Sequence, residues 1–308
     1  MTLQQLKYII AVDRHRSFSK AAEACDVTQP TLSGMLVKLE EELDIRIFDR
    51  TNKQVTTTVI GEQIIRQAEK AVAEAERIAE IVSEAKGCVN GRLALCISPG
   101  IAPYIIPQFI RLYLDAYPDV DLSIEEMKAA AMTDALRKGI ADIGIATAGH
   151  ATAGVYEIPL YTERFMVYLS ENCRRRLPMF NPGDLEHENM WIMKESQCLR
   201  QSAFSFCKER AKGHSIYEAG NIETLIRIVD ENGGYTIIPE MHLPLLTQQQ
   251  SLNVRDIDGD RLSMRRVSLY IKEEYIRGKM LNSIVDTLKK IIPRHMFEPN
   301  ILKSDIKL

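Results

Sequence analysis

The sequence reads as a mixed α/β chain in three successive parts: a small helical domain ending in two strand-like pieces, one long linker helix, and a larger domain in which strands and helices alternate. Three observations carry this. Short helical patterns separated by a tight turn fill the first 45 residues, no proline interrupts 58–85, and apolar strand patterns alternate with amphipathic stretches from residue 92 onward. At 308 residues and 45% hydrophobic content, the chain can bury two or three cores. A net charge of −3 excludes a broadly basic nucleic-acid coat, so any DNA contact must come from local placement of Lys and Arg. There is neither a charged leader before a long apolar run nor a stretch of the ~18 apolar residues that a membrane span requires. A cytoplasmic protein with no membrane association is expected. The six cysteines lack zinc-site pairing and the density of a disulfide scaffold, so no metal and no cofactor are expected.

Leu3, Leu6, Ile9, Ile10 and Val12 recur at mostly helical spacing, and Ser17 caps a second short helix through Ala24. After Cys25-Asp26-Val27, Thr28 is a natural N-cap and Pro30 suits the first turn of a third helix running through Leu32, Met35, Leu36, Leu39 and Leu43. Three short helices with a tight turn before the last suggest a helix-turn-helix, whose second helix enters the major groove with its N-terminal polar residues against base edges. Here those are Gln29, Thr31, Ser33 and Lys38. Strand-like pieces at 46–48 and 54–57 flank a turn in which Arg50 and Lys53 can meet phosphates as a wing, while Glu40, Glu41 and Glu42 would face away. Ile64, Ala68, Ala71, Ala75, Ile78 and Val82 then alternate spacings of four and three, a narrow seam that would pair two chains; burial against its own domain is the alternative. Two chains would read a roughly palindromic operator. Gly87 and Gly91 give a hinge.

Strands are expected at 92–98, 121–125 and 142–146, with helices at 103–117 and 132–138 between them. Such alternation builds a mostly parallel sheet with ligand sites outside the strand carboxyl ends, near 98–101 and after Ala146. A second unit begins near Arg164, contains a helix at 223–229 and a strand at 235–239, and returns through a strand at 267–271. The tail from Pro293, polar after Phe297, is expected to fray. Within the second unit, Cys198 and Cys207 lie nine residues apart around a helix-favouring run. A first-turn position and Arg200 would favour the thiolate, and an intact helix would hold the two Cα atoms ~13 Å apart, beyond the ~7 Å reach of a disulfide. The residues alone leave two readings open, a switch that bonds by refolding or cysteines buried as small hydrophobes. Cys25 and Cys96 read as core, Cys88 and Cys173 as hinge or loop, and Trp191 as packing; no hydrolase constellation or phosphate loop is present.

Residues 21–51, A-A-E-A-C-D-V-T-Q-P-T-L-S-G-M-L-V-K-L-E-E-E-L-D-I-R-I-F-D-R-T, resemble nearly position for position the winged helix-turn-helix of LysR-type transcriptional regulators. The resemblance implies a DNA-binding domain at 1–58, a dimerisation helix and hinge at 59–91, and a two-lobed effector domain at 92–308 whose cleft is similar to that of periplasmic binding proteins. Lobe I would take about 92–162 and 267–302, and lobe II about 163–266. Thr28 and Pro30 would open the recognition helix, with Gln29, Thr31, Ser33 and Lys38 toward the groove and Arg50 and Lys53 on the backbone. Cys198-Leu199-Arg200 with Ala203 and Cys207 further resembles the switch segment of the OxyR hydrogen-peroxide-sensing subfamily. That implies a peroxidatic Cys198 and a resolving Cys207, with hydrogen peroxide as oxidant, a homodimer or homotetramer on double-stranded DNA, and RNA polymerase contact by family expectation.

The chain departs from that pattern at Gln197, where the family has His, and at Gly100 and around Ala129, where it tends to have Thr. Gln197 or Ser98 could donate in their place, and Arg265 and Arg266 could supply the charge that keeps Cys198 ionised, or simply be solvated. A small-molecule effector in the interlobe cleft is the alternative function. A thiol peroxidase is the reading from another class, and the winged helix argues against an enzyme.

Overall fold

Thr2 begins the fold by capping the first helix: its hydroxyl accepts from Gln5 N at 3.3 Å while Gln5 Oε1 accepts from Thr2 N at 2.8 Å. The computed structural model of the protein describes residues 1–49, 55–86, 88–176, 189–191, 221–256, 264–303 and 305–307, in two units, Met1–Cys88 and Val89–Leu308. The first holds α1 (Leu3–His15), α2 (Phe18–Ala24), α3 (Gln29–Leu43), the antiparallel pair β1 (Phe48–Asp49) and β2 (Thr56–Thr57), and α4 (Val59–Lys86). Ile9, Val12, Leu32, Leu36, Leu39 and Ile47 are fully buried at its centre. Glu40 ties β1 to α3, one carboxylate oxygen accepting from Ile47 N at 2.8 Å and Phe48 N at 3.2 Å.

The long helix divides its apolar residues between two environments. Ile65, Ala68 and Val72 are buried in the core of this unit and Ile64 and Ala71 pack partly against it, whereas Ile78 is 66% and Val82 47% exposed. Ala68 is therefore a core residue of its own domain, the alternative to a place in a dimer seam. Gly61 is required at the base of α4, because a Cβ there would collide with the Ile47 carbonyl oxygen.

In the second unit, β3 (Gly91–Ile97), α5 (Ala102–Ala116), β4 (Val120–Glu126), α6 (Ala129–Arg137) and β5 (Ile143–Thr147) follow the expected alternation. Next come β6 (Val155–Leu169), α7 (Glu171–Arg176), α8 (Ile222–Asn232), β7 (Tyr235–Pro239), a 3-10 helix at Glu240–Leu245, α9 (Gln248–Ser251), β8 (Val254–Asp256), β9 (Met264–Lys272) and α10 (Gly278–Leu288). A seven-stranded sheet runs β4-β3-β5-β9-β6-β7, with β8 also on β6. The parallel pairing expected from the alternation over 92–146 is present in β4-β3-β5, and the strands beyond it add antiparallel pairs. Among the named strands of the described residues, β3 is parallel to β4, reached through α5, and to β5, reached through α6 after β4; the pairings of β5 with β9 and of β6 with β9, β7 and β8 are antiparallel. The physical cause is β6, which runs from the first core to the second and pairs antiparallel with β9, β7 and β8 along the way. The first core gathers Leu95, Ile97, Phe109, Tyr113 and Ile145 with Leu281, Ile284 and Leu288 of α10, and the second gathers Met166, Tyr168, Ile226, Val229 and Ile238.

Sequence patterning places the start of the second unit near Arg164, but the strand concerned, β6, begins at Val155 and runs fifteen residues. Pro159 and the polar run Thr162-Glu163-Arg164 obscure it, and its pairing with β9 is irregular between Pro159 and Tyr161. Nor does the tail fray as expected. A short helix, α11 (Pro299–Lys303), buries Ile301, and Asn282 of α10 exchanges two hydrogen bonds with the Ile306 backbone, at 3.0 and 2.8 Å. Arg277, itself buried, donates to the carbonyls of Arg92 at 2.6 Å and Asn90 at 3.0 Å, fixing the start of β3. No helix among the described residues is long and apolar enough to cross a membrane.

Gly61→Ala is expected to destabilise the Met1–Cys88 unit by about 1–3 kcal/mol through forced repacking against Ile47. Gly34→Ala, whose Cβ would meet open space on α3, should be neutral or stabilising. Thermal unfolding of the two variants followed by circular dichroism checks the contrast.

Candidate functional site

The first candidate surface is the N-terminal half of α3. Thr28 caps it, its hydroxyl accepting from Thr31 N at 3.4 Å and lying 2.8 Å from the Thr31 hydroxyl. Asp26, with φ 53°, makes the left-handed turn that separates α2 from this cap. Leu32, Leu36 and Leu39 hold one face of α3 in the core, which leaves Thr28, Gln29, Pro30, Thr31 and Lys38 exposed and Ser33 half-buried. Polar groups at a helix N-terminus, presented outward from a rigid three-helix core, can reach base edges and phosphates. Arg50 and Lys53 lie outside the described residues.

The second candidate lies where β6, on its way between the cores, pairs with β9. Glu163 and Arg265 are directly opposite in the β6–β9 ladder, and both are buried. Arg265 Nε donates to Glu163 Oε1 at 2.7 Å, and Arg265 Nη1 donates to the Gly100 carbonyl at 3.2 Å. The second Glu163 oxygen accepts from Met241 N at 3.1 Å, and the guanidinium lies 5.7 Å from the Phe165 ring centre. Beside them Tyr104 OH and His242 Nδ1 are 3.2 Å apart, their rings edge to face. Burial pushes the Tyr104 and Tyr161 phenols up and the His242 imidazole down, so all three favour the neutral form around one charged pair.

Of the residues singled out from the sequence, the fold brings Gly100 and Arg265 together. Ser98 is half-buried at the end of β3, its carbonyl accepting from the amides of Ile101 and Ala102, and Ala129 opens α6. Arg266 points the other way, as the next residue on a strand must, and pairs with Glu298 at 3.4 Å with 55% of its side chain exposed. A side chain at Gly100 would be sterically ordinary, its Cβ 3.9 Å from Arg265 Nη1. Gln197, Cys198, Arg200 and Cys207 lie outside the described residues. Glu163, Tyr104 and His242 escape the sequence reading. Alternation along β6 holds the signal for Glu163, because Tyr161, Glu163, Phe165 and Val167 share one inward face.

Residues 3–62 match the model for the bacterial regulatory helix-turn-helix protein, lysR family, and residues 86–291 match the LysR substrate binding domain. The chain belongs to the LysR family. It is 30% identical over 246 residues to the hydrogen peroxide-inducible genes activator of Haemophilus influenzae, covering 78% of this chain and 81% of that protein. To the DNA-binding transcriptional dual regulator OxyR of Escherichia coli it is 29% identical over 249 residues, 79% of this chain and 81% of that one. A full-length OxyR variant from Pseudomonas aeruginosa has the same fold, with a TM-score of 0.74 at 26% identity over 97% of this chain and 98% of that chain. Full-length CbnR complexed with its target DNA, at 18% identity, is alike in fold alone, with a TM-score of 0.60 over 95% of this chain and all of that one. This LysR-family member is an OxyR-like DNA-binding transcription regulator.

The described cysteines differ sharply in environment. Burial is the first cause that pushes the Cys96 thiol up to about 12, and Cys173 is equally buried, while Cys88 is exposed. A raised thiol pKa means less thiolate at neutral pH, so Cys96 stays protonated and inert there. Brief iodoacetamide treatment of the native protein at about pH 7.5, near the range where an ordinary thiol begins to ionise, should label Cys88 in peptide mass spectra. Cys96 and Cys173 should stay unmodified until the chain is unfolded.

Proposed function

We propose that this regulator senses hydrogen peroxide through a reversible disulfide between Cys198 and Cys207 and acts as a transcription activator. The observation that carries the reading is the Cys198-Leu199-Arg200 segment with Cys207 nine residues on, in a chain similar to proteins named as peroxide-inducible activators. The Cys198 thiolate attacks one peroxide oxygen; the O–O bond breaks, hydroxide leaves to become water, and a sulfenic acid forms. The Cys207 sulfur then attacks that sulfenic sulfur, an S–S bond forms and a second water leaves. Two thiols are oxidised and one peroxide is reduced to two waters. A thiol reductant reverses the step.

Bonding the two sulfurs selects another packing of lobe II, about 163–266, against lobe I, about 92–162 and 267–302. Two or four copies read a roughly palindromic operator through the 1–58 domain, with Thr28, Gln29, Pro30, Thr31, Ser33 and Lys38 on the groove and Arg50 and Lys53 on phosphates. The 59–91 helix pairs the copies, the exposed Ile78 and Val82 being the part of the seam left for a second chain. RNA polymerase is the partner expected of an activator. Arg265, buried beside Gly100, has Glu163 as its counter-ion at 2.7 Å. A cleft-bound small effector is the second reading, favoured by the lack of side-chain hydroxyls at Gly100 and Ala129.

One equivalent of hydrogen peroxide added to the reduced protein should give a dominant Cys198–Cys207 crosslink in non-reducing peptide maps, together with a changed DNA footprint. Cys198→Ser should abolish both. Unmodified thiols at that dose would overturn the peroxide reading and turn the search to a cleft-bound effector.

A further inference from the structure

Glu163 sits on β6, the long strand that gives Leu160 and Tyr161 to the first core and Met166 and Tyr168 to the second, and Arg265 lies opposite it in register on β9. Each ends on a backbone group from a different part of the domain. Arg265 Nη1 holds the Gly100 carbonyl, in the loop between β3 and α5 that belongs to the first core. Glu163 Oε2 holds the Met241 amide at the start of the 3-10 helix that follows β7, a helix whose Met241 packs in the first core and whose Leu243 packs against the second. Side-chain exposure of 0% for Glu163 and 8% for Arg265 removes water as a competing partner. The Tyr104–His242 contact repeats the connection, α5 to the same 3-10 helix, with neutral groups.

We infer that the Glu163–Arg265 pair is a pin between the two lobes, which couples the position of the second lobe to the loop at Gly100. Moving the 3-10 helix withdraws the Met241 amide from Glu163, and the pair, joined at 2.7 Å, shifts with it and draws Arg265 from Gly100. Coupling is reciprocal, so a change at the Gly100 loop biases the second lobe by the same free energy. The inference does not require that the signal be peroxide.

The test uses the full-length protein with spin labels attached to keto amino acids placed at Lys138 and Gln249, which are exposed and lie on opposite sides of the pin, so that native cysteines stay untouched. Glu163→Gln keeps the shape but cannot satisfy both Arg265 and Met241. The paired replacement Glu163→Met with Arg265→Leu removes both charges of the pin together, a change that proteins commonly tolerate in stability. In both, exchange of the Met241 amide should quicken at least about tenfold, the factor that loss of one ordinary hydrogen bond represents, while the β6–β7 ladder keeps its protection. The Lys138–Gln249 distance distribution should widen. Tyr104→Phe in the paired variant should widen it further. If Glu163→Gln does not fold, the paired replacement decides alone. An unchanged Met241 amide, or an unchanged distance distribution in the paired replacement, would overturn the pin and reduce the pair to local packing.

Discussion

Two opposite charges withdrawn from water attract strongly only when their remaining donors and acceptors are met, because each ion loses hydration worth several kcal/mol. Glu163 and Arg265 offset that loss by meeting each other and by taking backbone partners at Met241 and Gly100. The requirement reaches far into the fold. It demands that β6 and β9 be antiparallel and in one register, since a slip of one residue would turn a charge to the opposite face. The neutral state of Tyr104, Tyr161 and His242 follows from the same constraint, for another charge in that space would have no water to shield it.

The N-terminal unit rests on a different balance. Its apolar residues are few, and α4 contributes Ile65, Ala68 and Val72 to complete the core that α1 and α3 begin. Gly61 permits that helix to approach the Ile47 carbonyl, and Glu40 fastens β1 to α3 through the neighbouring amides. Rigidity at the base of α3 leaves its capped N-terminus as a fixed polar edge, which suits a LysR-family DNA-binding domain. Beyond Val72 the same helix carries exposed Ile78, Ile81 and Val82, apolar surface with no use inside its own unit.

Legibility of the site in the sequence follows the range of the interactions. Thr28, Pro30 and the leucines of α3 act within a few residues, so the cap and the inward face can be read from spacing. Arg265 and Arg266 look alike as neighbours in sequence, yet strand alternation buries one against Glu163 and turns the other toward Glu298. Pro159 and three polar residues hide the first half of β6, because their tolerance there depends on partners that only the assembled sheet provides. The tail looks too polar to dock, but Ile301 and Ile306 find apolar surface and Asn282 meets the Ile306 backbone.

The sequence by itself determined what local rules control: the caps, the period of each helix, the alternation of strand and helix from β3 to β5, and the resemblance that places the chain in its family. Tertiary structure decided the antiparallel half of the sheet, the division of α4 between core and surface, and the meeting of Glu163 with Arg265, Gly100 and Met241. Those partners stand up to 165 residues apart along the chain, and a hydrogen bond or ion pair depends on distance in space, which periodicity and propensity do not encode.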